Sequence, residues 1–262
     1  GDFVIPNDLR RVFEEAFQYE KMSNGAFSPK AAGGFDLGAI GKGYAIDRAV
    51  EKLKGCGVTR FIISCGSTIY GSGTPIGKAF WPVTLRHPSE EKQEAVVLMD
   101  QAISTSGNYE RSMMQNGVRT DHIIDPRSGL PVEGIASCSV IAKTATASDA
   151  LSTAAFVLGE SAGMALLEGR EDVEGMIIGR NATSKTTGWC KSEIGPSRRS
   201  FLAMAAMLLI GLLLPFKAVG AVVYQTKEEG MRALWPTADR FDLNEIHLDD
   251  NQLQKTQALL GE

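Results

Sequence analysis

The chain has no excess of positive charge: 27 Lys and Arg stand against 31 Asp and Glu, a formal net charge of -4. No basic patch stands out along it either, which argues against a nucleic-acid binder. Cysteine is scarce and badly spaced for chemistry. Cys56, Cys65, Cys138 and Cys190 form no C-x-x-C pair and no zinc pattern, so they read as core or incidental thiols. The glycine-rich loop that follows Gly33 lacks the spacing of a Walker loop, and it lacks the strand and following acid of a dinucleotide fingerprint. What remains is an ordinary globular composition: 262 residues, 44% of them apolar, are enough to bury a sizeable core.

Three clusters then carry chemistry. Thr120-Asp-His-Ile-Ile-Asp-Pro-Arg-Ser-Gly129 sets an imidazole and two carboxylates around a Pro-containing turn. Pro126 presets the backbone and Asp125 favours turn initiation, which places His122 at a strand end. His titrates near neutral pH and suits proton transfer there, although one His in such a window is also a common structural residue. Gly33-Gly-Phe-Asp-Leu-Gly-Ala-Ile-Gly-Lys-Gly-Tyr-Ala-Ile-Asp47 precedes a helical pattern. Ile46, Ala49, Val50 and Leu53 fall at i, i+3, i+4 and i+7, predicting a helix from about Gly43 to Lys54. Its N-terminal N–H groups and the Lys42 ammonium make a candidate phosphate site, with a simple tight turn as the alternative. The third cluster, Ser148-Asp-Ala-Leu-Ser-Thr153, follows a strand-like run Cys138–Ala142 and opens an apolar helix predicted to end at Gly159. Ser148 or Thr146 is the expected N-cap. Asp149 and Thr153 lie four apart, so both oxygens can face one hard cation such as magnesium, or serve only as helix-start residues.

In this order the clusters resemble the ApbE family of flavin transferases. The family pattern D-L-G-x-I-x-K-G-Y-x-x-D is met at Asp36–Asp47, T-S-G-[DN]-Y at Thr105–Tyr109, H-I-[IL]-D-P-x-[ST]-G-x-P at His122–Pro131, and the D-A-L-[ST]-T block at Ser148–Thr153. Trp81–Pro88 is similar to the family's tryptophan strand and the loop after it. The resemblance covers about residues 20 to 180 and implies an α+β, ApbE-type (T-fold-like) domain. The implied reaction splits FAD with Mg²⁺, joins the FMN half to a Thr or Ser of a client flavoprotein and releases AMP. By resemblance, Gly41 (backbone carbonyl), Asp149 and Thr153 hold the metal. His122 takes the proton of the client hydroxyl, and Lys42 with the loop N–H groups holds phosphate. The same resemblance assigns Gly41, Gly43, Tyr44, Asp47, Ser106, Gly107, Tyr109 and His122 to the flavin nucleotide. Asp47 is expected to orient Tyr44 or Lys42 locally, and Asp36, Asp121 and Asp125 to order loops, with direct chemistry as the alternative. Two rival readings are a magnesium-dependent FAD pyrophosphatase on the same groups and a non-catalytic, membrane-tethered FAD-binding protein.

Organisation departs from the family at both ends. Ser23–Pro29 lies almost against the glycine loop, and the chain opens at Gly1 without Met, so a domain shortened at its front is expected over residues 1–195. Ser67 stands where relatives usually carry a second Gly. Residues 196–223 then carry paired arginines, Arg198 and Arg199, an apolar run from Phe201 to Phe216 and small residues, which is the layout of a signal-like or transmembrane segment. A bacterial inner-membrane location is expected from residues 201–223, with the catalytic domain periplasmic by resemblance and cytoplasmic by local charge. Residues 224–262 form a polar tail similar to the start of an FMN-binding domain. No D-x-x-[ST]-G-A-[ST] acceptor motif occurs in the chain, so the client is expected to be another protein.

Overall fold

The computed structural model describes residues 5–31, 34–86, 93–107, 113–115, 118–120, 123–180 and 182–189. The apolar run 201–223 and the polar tail 224–262 lie outside the described residues. The elements run in the order α1 (Asn7–Met22), β1 (Lys30–Ala31), β2 (Gly34–Phe35), α2 (Gly41–Gly55), β3 (Phe61–Cys65), β4 (Thr68–Ser72), β5 (Trp81–Arg86), β6 (Gln93–Leu98) and β7 (Gln101–Gly107). Then follow β8 (Met113–Gln115), β9 (Val118–Thr120), β10 (Ile124–Asp125), β11 (Leu130–Pro131), β12 (Ile135–Ala142), α3 (Ala145–Glu168), β13 (Glu174–Gly179) and β14 (Thr183–Lys185). The central sheet is antiparallel with strand order β14-β13-β12-β7-β4-β3. Helices and sheet together make the α+β class expected from the motifs.

Strand alternation sorts the sheet into two unlike faces. On one face Phe61, Ile63 and Cys65 of β3 and Tyr70 of β4 receive Ile46, Ala49 and Val50 of α2, the helical stripe legible in the sequence. Beside them Cys138, Val140 and Ala142 of β12 receive Leu151, Ala155 and Phe156 of α3. On the opposite face the β5–β6 hairpin lays Val83, Leu85, Val96 and Leu98 over Ile103, Ile141, Met176 and Ile178. A third layer is added by α1, whose Leu9, Val12, Phe13, Ala16 and Phe17 recur at helical spacing and cover Phe35, Leu37, Ile40 and Ala150. Phe13 meets Phe35 edge-on with centroids 4.7 Å apart. Each such fully buried side chain contributes about 1.5–3 kcal/mol of apolar burial.

Two boundaries differ from expectation. The N-cap of α3 is Thr144, whose side chain accepts the Ala147 N–H at 3.1 Å. Thr146 and Ser148 are not the caps, because both hydroxyls donate elsewhere: Thr146 Oγ1 to Asp47 and Ser148 Oγ to the Val140 carbonyl at 2.7 Å. The predicted stop at Gly159 is a kink, with φ at 80°, after which the helix resumes to Glu168. Leu167, fully buried in the core under α3, gives the second segment a reason to continue. By length and hydropathy α3 could cross a membrane, yet half of its most apolar window is buried inside the protein, against the sheet. The thiols of Cys65 and Cys138 are core groups, burial pushes the Cys138 thiol far up, and Cys56 is exposed.

Candidate active site at the crossing of two helices

The first turns of α2 and α3 meet at Gly43. A Cβ on that residue would run into the Ala145 carbonyl and come within 2.7 Å of the Thr146 Cα, so only glycine lets the two backbones touch. Each helix then caps the other. Asp149, on α3, accepts the Gly43 N–H of α2 through Oδ2 at 3.0 Å. Asp47, on α2, accepts the N–H groups of Ala145 and Thr146, each at 2.8 Å, and the Thr146 hydroxyl. Both carboxylates thus satisfy N-terminal donors that no intrahelical partner reaches and face the positive end of a helix.

The Asp149 side chain is 2% exposed, and its Oδ1 gathers the remaining polar groups. Lys42 Nζ lies 2.8 Å away and also donates to the Gly38 carbonyl at 3.0 Å. Ser104 of β7 reaches Oδ1 at 3.2 Å and Thr68 of β4 at 3.4 Å, with 2.9 Å between the two hydroxyls. Each hydroxyl has one proton, so the shortest consistent set runs from Thr68 to Ser104 and from Ser104 to Asp149. One turn further along α3 the pattern repeats. Ser106 sits 2.9 Å from the Ser152 hydroxyl and 3.1 Å from Thr153 Oγ1, and Ser152 donates to the Asp149 carbonyl at 2.9 Å. A row of sheet hydroxyls therefore lies against a row of helix oxygens.

This arrangement bears on each expected residue. Gly41 and Lys42 lie inside the first turn of α2, which begins two residues earlier than the predicted Gly43. The Gly41 N–H is taken by the Leu37 carbonyl at 2.7 Å, and the Gly43 N–H by Asp149. The anion at the start of α2 is thus the chain's own Asp149. Asp47 takes its hydrogen bonds from α3, which it caps, while those of Tyr44 and Lys42 go elsewhere; burial pushes the Asp47 carboxyl pKa up, against the pull of its hydrogen bonds from Thr146 and Ala145. Tyr44 donates to Asp8 of α1 at 3.0 Å, and burial first, then that bond, pushes its phenol up to about 12. Gly107 is buried at the end of β7, paired with Ser137. Asp36 orders its loop by accepting the Gly38 N–H at 2.6 Å. Asp125 does the same at the predicted turn, where the Arg127 guanidinium holds its carboxyl below the usual range and Gly129 N–H closes on the Asp125 carbonyl at 2.8 Å. His122, Tyr109 and Asp121 lie outside the described residues.

The motifs give Thr68, Ser104 and Ser152 no role of their own. A usable signal was present: β7 reads Gln101-Ala-Ile-Ser-Thr-Ser-Gly107, so period-two alternation puts Ser104 and Ser106 on the same face as the buried Ala102. Hydroxyls on a buried face require partners. The atoms here that could ligate a metal are hard oxygens, the Asp149 carboxylate and the Thr153 and serine hydroxyls, with the Lys42 ammonium beside them at 2.8 Å from Oδ1. That set suits magnesium in kind, and Thr153 Oγ1 retains lone pairs for a cation. Among the described residues no cluster of three His, Cys, Asp or Glu side chains competes as a metal site.

The ApbE family model matches residues 30–177. Among curated proteins, the FAD:protein FMN transferase of Vibrio cholerae is 32% identical over 172 residues, covering 64% of this chain and 50% of its own. That of Klebsiella pneumoniae is 35% identical over 150 residues, covering 56% and 46%. The chain therefore spans about half the length of the curated relatives it matches. Among solved structures, the flavin transferase ApbE from Vibrio cholerae superposes with a TM-score of 0.62 at 24% identity, over 71% of this chain and 77% of that one. The apo form of Pseudomonas stutzeri flavinyl transferase ApbE gives 0.60 at 25% identity, over 71% and 74%. These likenesses establish the fold.

Proposed function

We propose, for a chain that belongs to the ApbE family, that it is an FAD:protein FMN transferase working at the crossing of α2 and α3. The observation that carries this reading is the buried Asp149 carboxylate set against a row of hydroxyls, with Thr153 one helical turn on, within a match to relatives named for that activity. In the proposed reaction the client Thr or Ser oxygen forms a bond to the FMN-side phosphorus, the bond from that phosphorus to the bridging oxygen breaks, and AMP leaves. The hydroxyl proton goes to His122. Asp149, Thr153 and the Gly41 carbonyl would hold Mg²⁺, which when bound neutralises charge on the phosphoryl oxygens. Lys42 is assigned to phosphate, and Ser106, Gly107 and Tyr109 to the flavin side.

The architecture gives these roles a rigid base. Asp149 is fixed by the Gly43 N–H and by Ser104, Thr153 is fixed by Ser106, and both ride on a helix docked on the sheet. The client is a flavoprotein bearing a D-x-x-[ST]-G-A-[ST] acceptor, and residues 201–223 tether the protein to a bacterial inner membrane. Incubating the full chain with FAD, Mg²⁺ and a D-x-x-T-G-A-T peptide tests the reading by mass spectrometry. Peptide-bound FMN with an equal amount of AMP is expected, lost in His122→Ala. Free FMN with AMP and an unmodified peptide would instead mean a pyrophosphatase, and bound but intact FAD a non-catalytic binder.

A further inference from the structure

We propose that Lys42 is a resident counter-cation of Asp149, and that its ammonium and a divalent metal ion exclude one another at Asp149 Oδ1. The inference rests on the reading above that Asp149 ligates the metal.

The geometry of the carboxylate is the starting point. Oδ2 is committed to the Gly43 N–H at 3.0 Å, in the first turn of α2 where the two backbones touch. Rotating the carboxylate away would strip α2 of its cap, and Ser104 at 3.2 Å further fixes the plane from the sheet side. Oδ1 is the oxygen that faces a cation. There the Lys42 ammonium already sits at 2.8 Å, on a side chain only 16% exposed. A magnesium ligand oxygen must come to about 2.0–2.1 Å from the ion. An ion that close to Oδ1 would share its lone pairs and its immediate space with a second positive charge.

The lysine is built to leave. Its other bond is to a single carbonyl, that of Gly38 at 3.0 Å, and its stem is a flexible four-carbon chain. Beside the stem lies Gly66 of the β3–β4 turn, where a Cβ would stand 3.7 Å from Lys42 Cδ, in ordinary contact. Among the described residues the Lys42 ammonium is the side-chain counter-charge of the buried Asp149 carboxylate, and the pair helps keep the helix crossing assembled. When the metal takes Oδ1, the ammonium is released toward solvent and becomes available to an anionic ligand such as a phosphate group. Lys42 is in this account a positioning residue whose two stations are set by the occupancy of Asp149.

The test uses the full chain and Mn²⁺ alone as the probe, its free concentration followed by electron paramagnetic resonance. Lys42→Met is expected to bind Mn²⁺ about tenfold more tightly than the wild type, because the competing cation is gone. In the unaltered protein, acylation of the Lys42 amine read by mass spectrometry is expected to rise when Mn²⁺ is added, which decides the matter even if the variant folds poorly. Equal or weaker affinity in a folded Lys42→Met, or labelling indifferent to Mn²⁺, overturns the inference. If the wild type binds Mn²⁺ and Asp149→Asn does not, the metal reading stands whatever the lysine does. If neither wild type nor Lys42→Met binds, both fail together.

Discussion

Asp47 on α2 and Asp149 on α3 do the same backbone work at opposite sides of one helix crossing, yet they keep different company. Asp47 accepts from the N–H groups and hydroxyl of the α3 first turn, and burial pushes its carboxyl pKa up. Asp149 caps α2 with one oxygen and offers the other to Lys42 and Ser104, with Thr68 behind Ser104. A carboxylate held by the neutral donors of one helix start is a fastener. One whose second oxygen is held by a side-chain cation and a hydroxyl row has a charge that a ligand can compete for, and that is the basis for placing chemistry at Asp149 and not at Asp47.

Substitutions can break this comparison in order of size. Asp149→Ala leaves the part-buried Lys42 ammonium and the Gly43 N–H without their partner, and a loss of about 3–5 kcal/mol is expected. At about 2–4 °C per kcal/mol, a thermal melt would show a drop of roughly 6–20 °C. Gly43→Ala forces the helices apart at both caps at once, with an expected cost of about 1–3 kcal/mol by denaturant titration. Asp47→Ala removes an acceptor shared by neutral donors only, and about 1–2 kcal/mol is expected on the same titration. If Asp47→Ala proved costlier than Asp149→Ala, the contrast between fastener and functional group would fail.

The pH dependence sharpens the same point. Because the folded pKa of Asp47 is raised above the ordinary 3.8, its contribution is full below that value and is lost as pH rises through the folded pKa. The stability gap between wild type and Asp47→Ala should accordingly narrow from pH 4 to pH 7 in paired denaturant melts, and a gap that widens would contradict the burial argument. Smallest of all is Gly55→Ala at the far end of α2, where an added Cβ meets nothing within 4 Å. A gain of about 0.5–1 kcal/mol is expected there, set against the loss at Gly43 in the same helix.

Much of the scaffold was legible because it is local. The Ile46, Ala49, Val50, Leu53 stripe, the Asp125–Gly129 turn and the strand before α3 all follow from spacing and turn chemistry. The four motifs also identified the family. What sequence could not supply is the partner across the fold. Asp47 reads locally as a neighbour of Tyr44 and Lys42, and its true partners are the N–H groups of Ala145 and Thr146, brought in by the helix crossing. Ser148 reads as a cap and instead ties α3 to the Val140 carbonyl. Alternation places Ser104 and Ser106 on a buried face, but only the docking of α3 says which oxygens they meet.

The most direct test compares peptide flavinylation by two isosteric variants, Asp149→Asn and Asp47→Asn, each normalised to its folded fraction by circular dichroism. Asp149→Asn keeps an acceptor for the Gly43 N–H but loses the charge, so FMN transfer should fall by about 10²–10³-fold, while Asp47→Asn should stay within about threefold of wild type. Transfer retained by a folded Asp149→Asn, or lost equally in both, would contradict the assignment of the chemistry to Asp149.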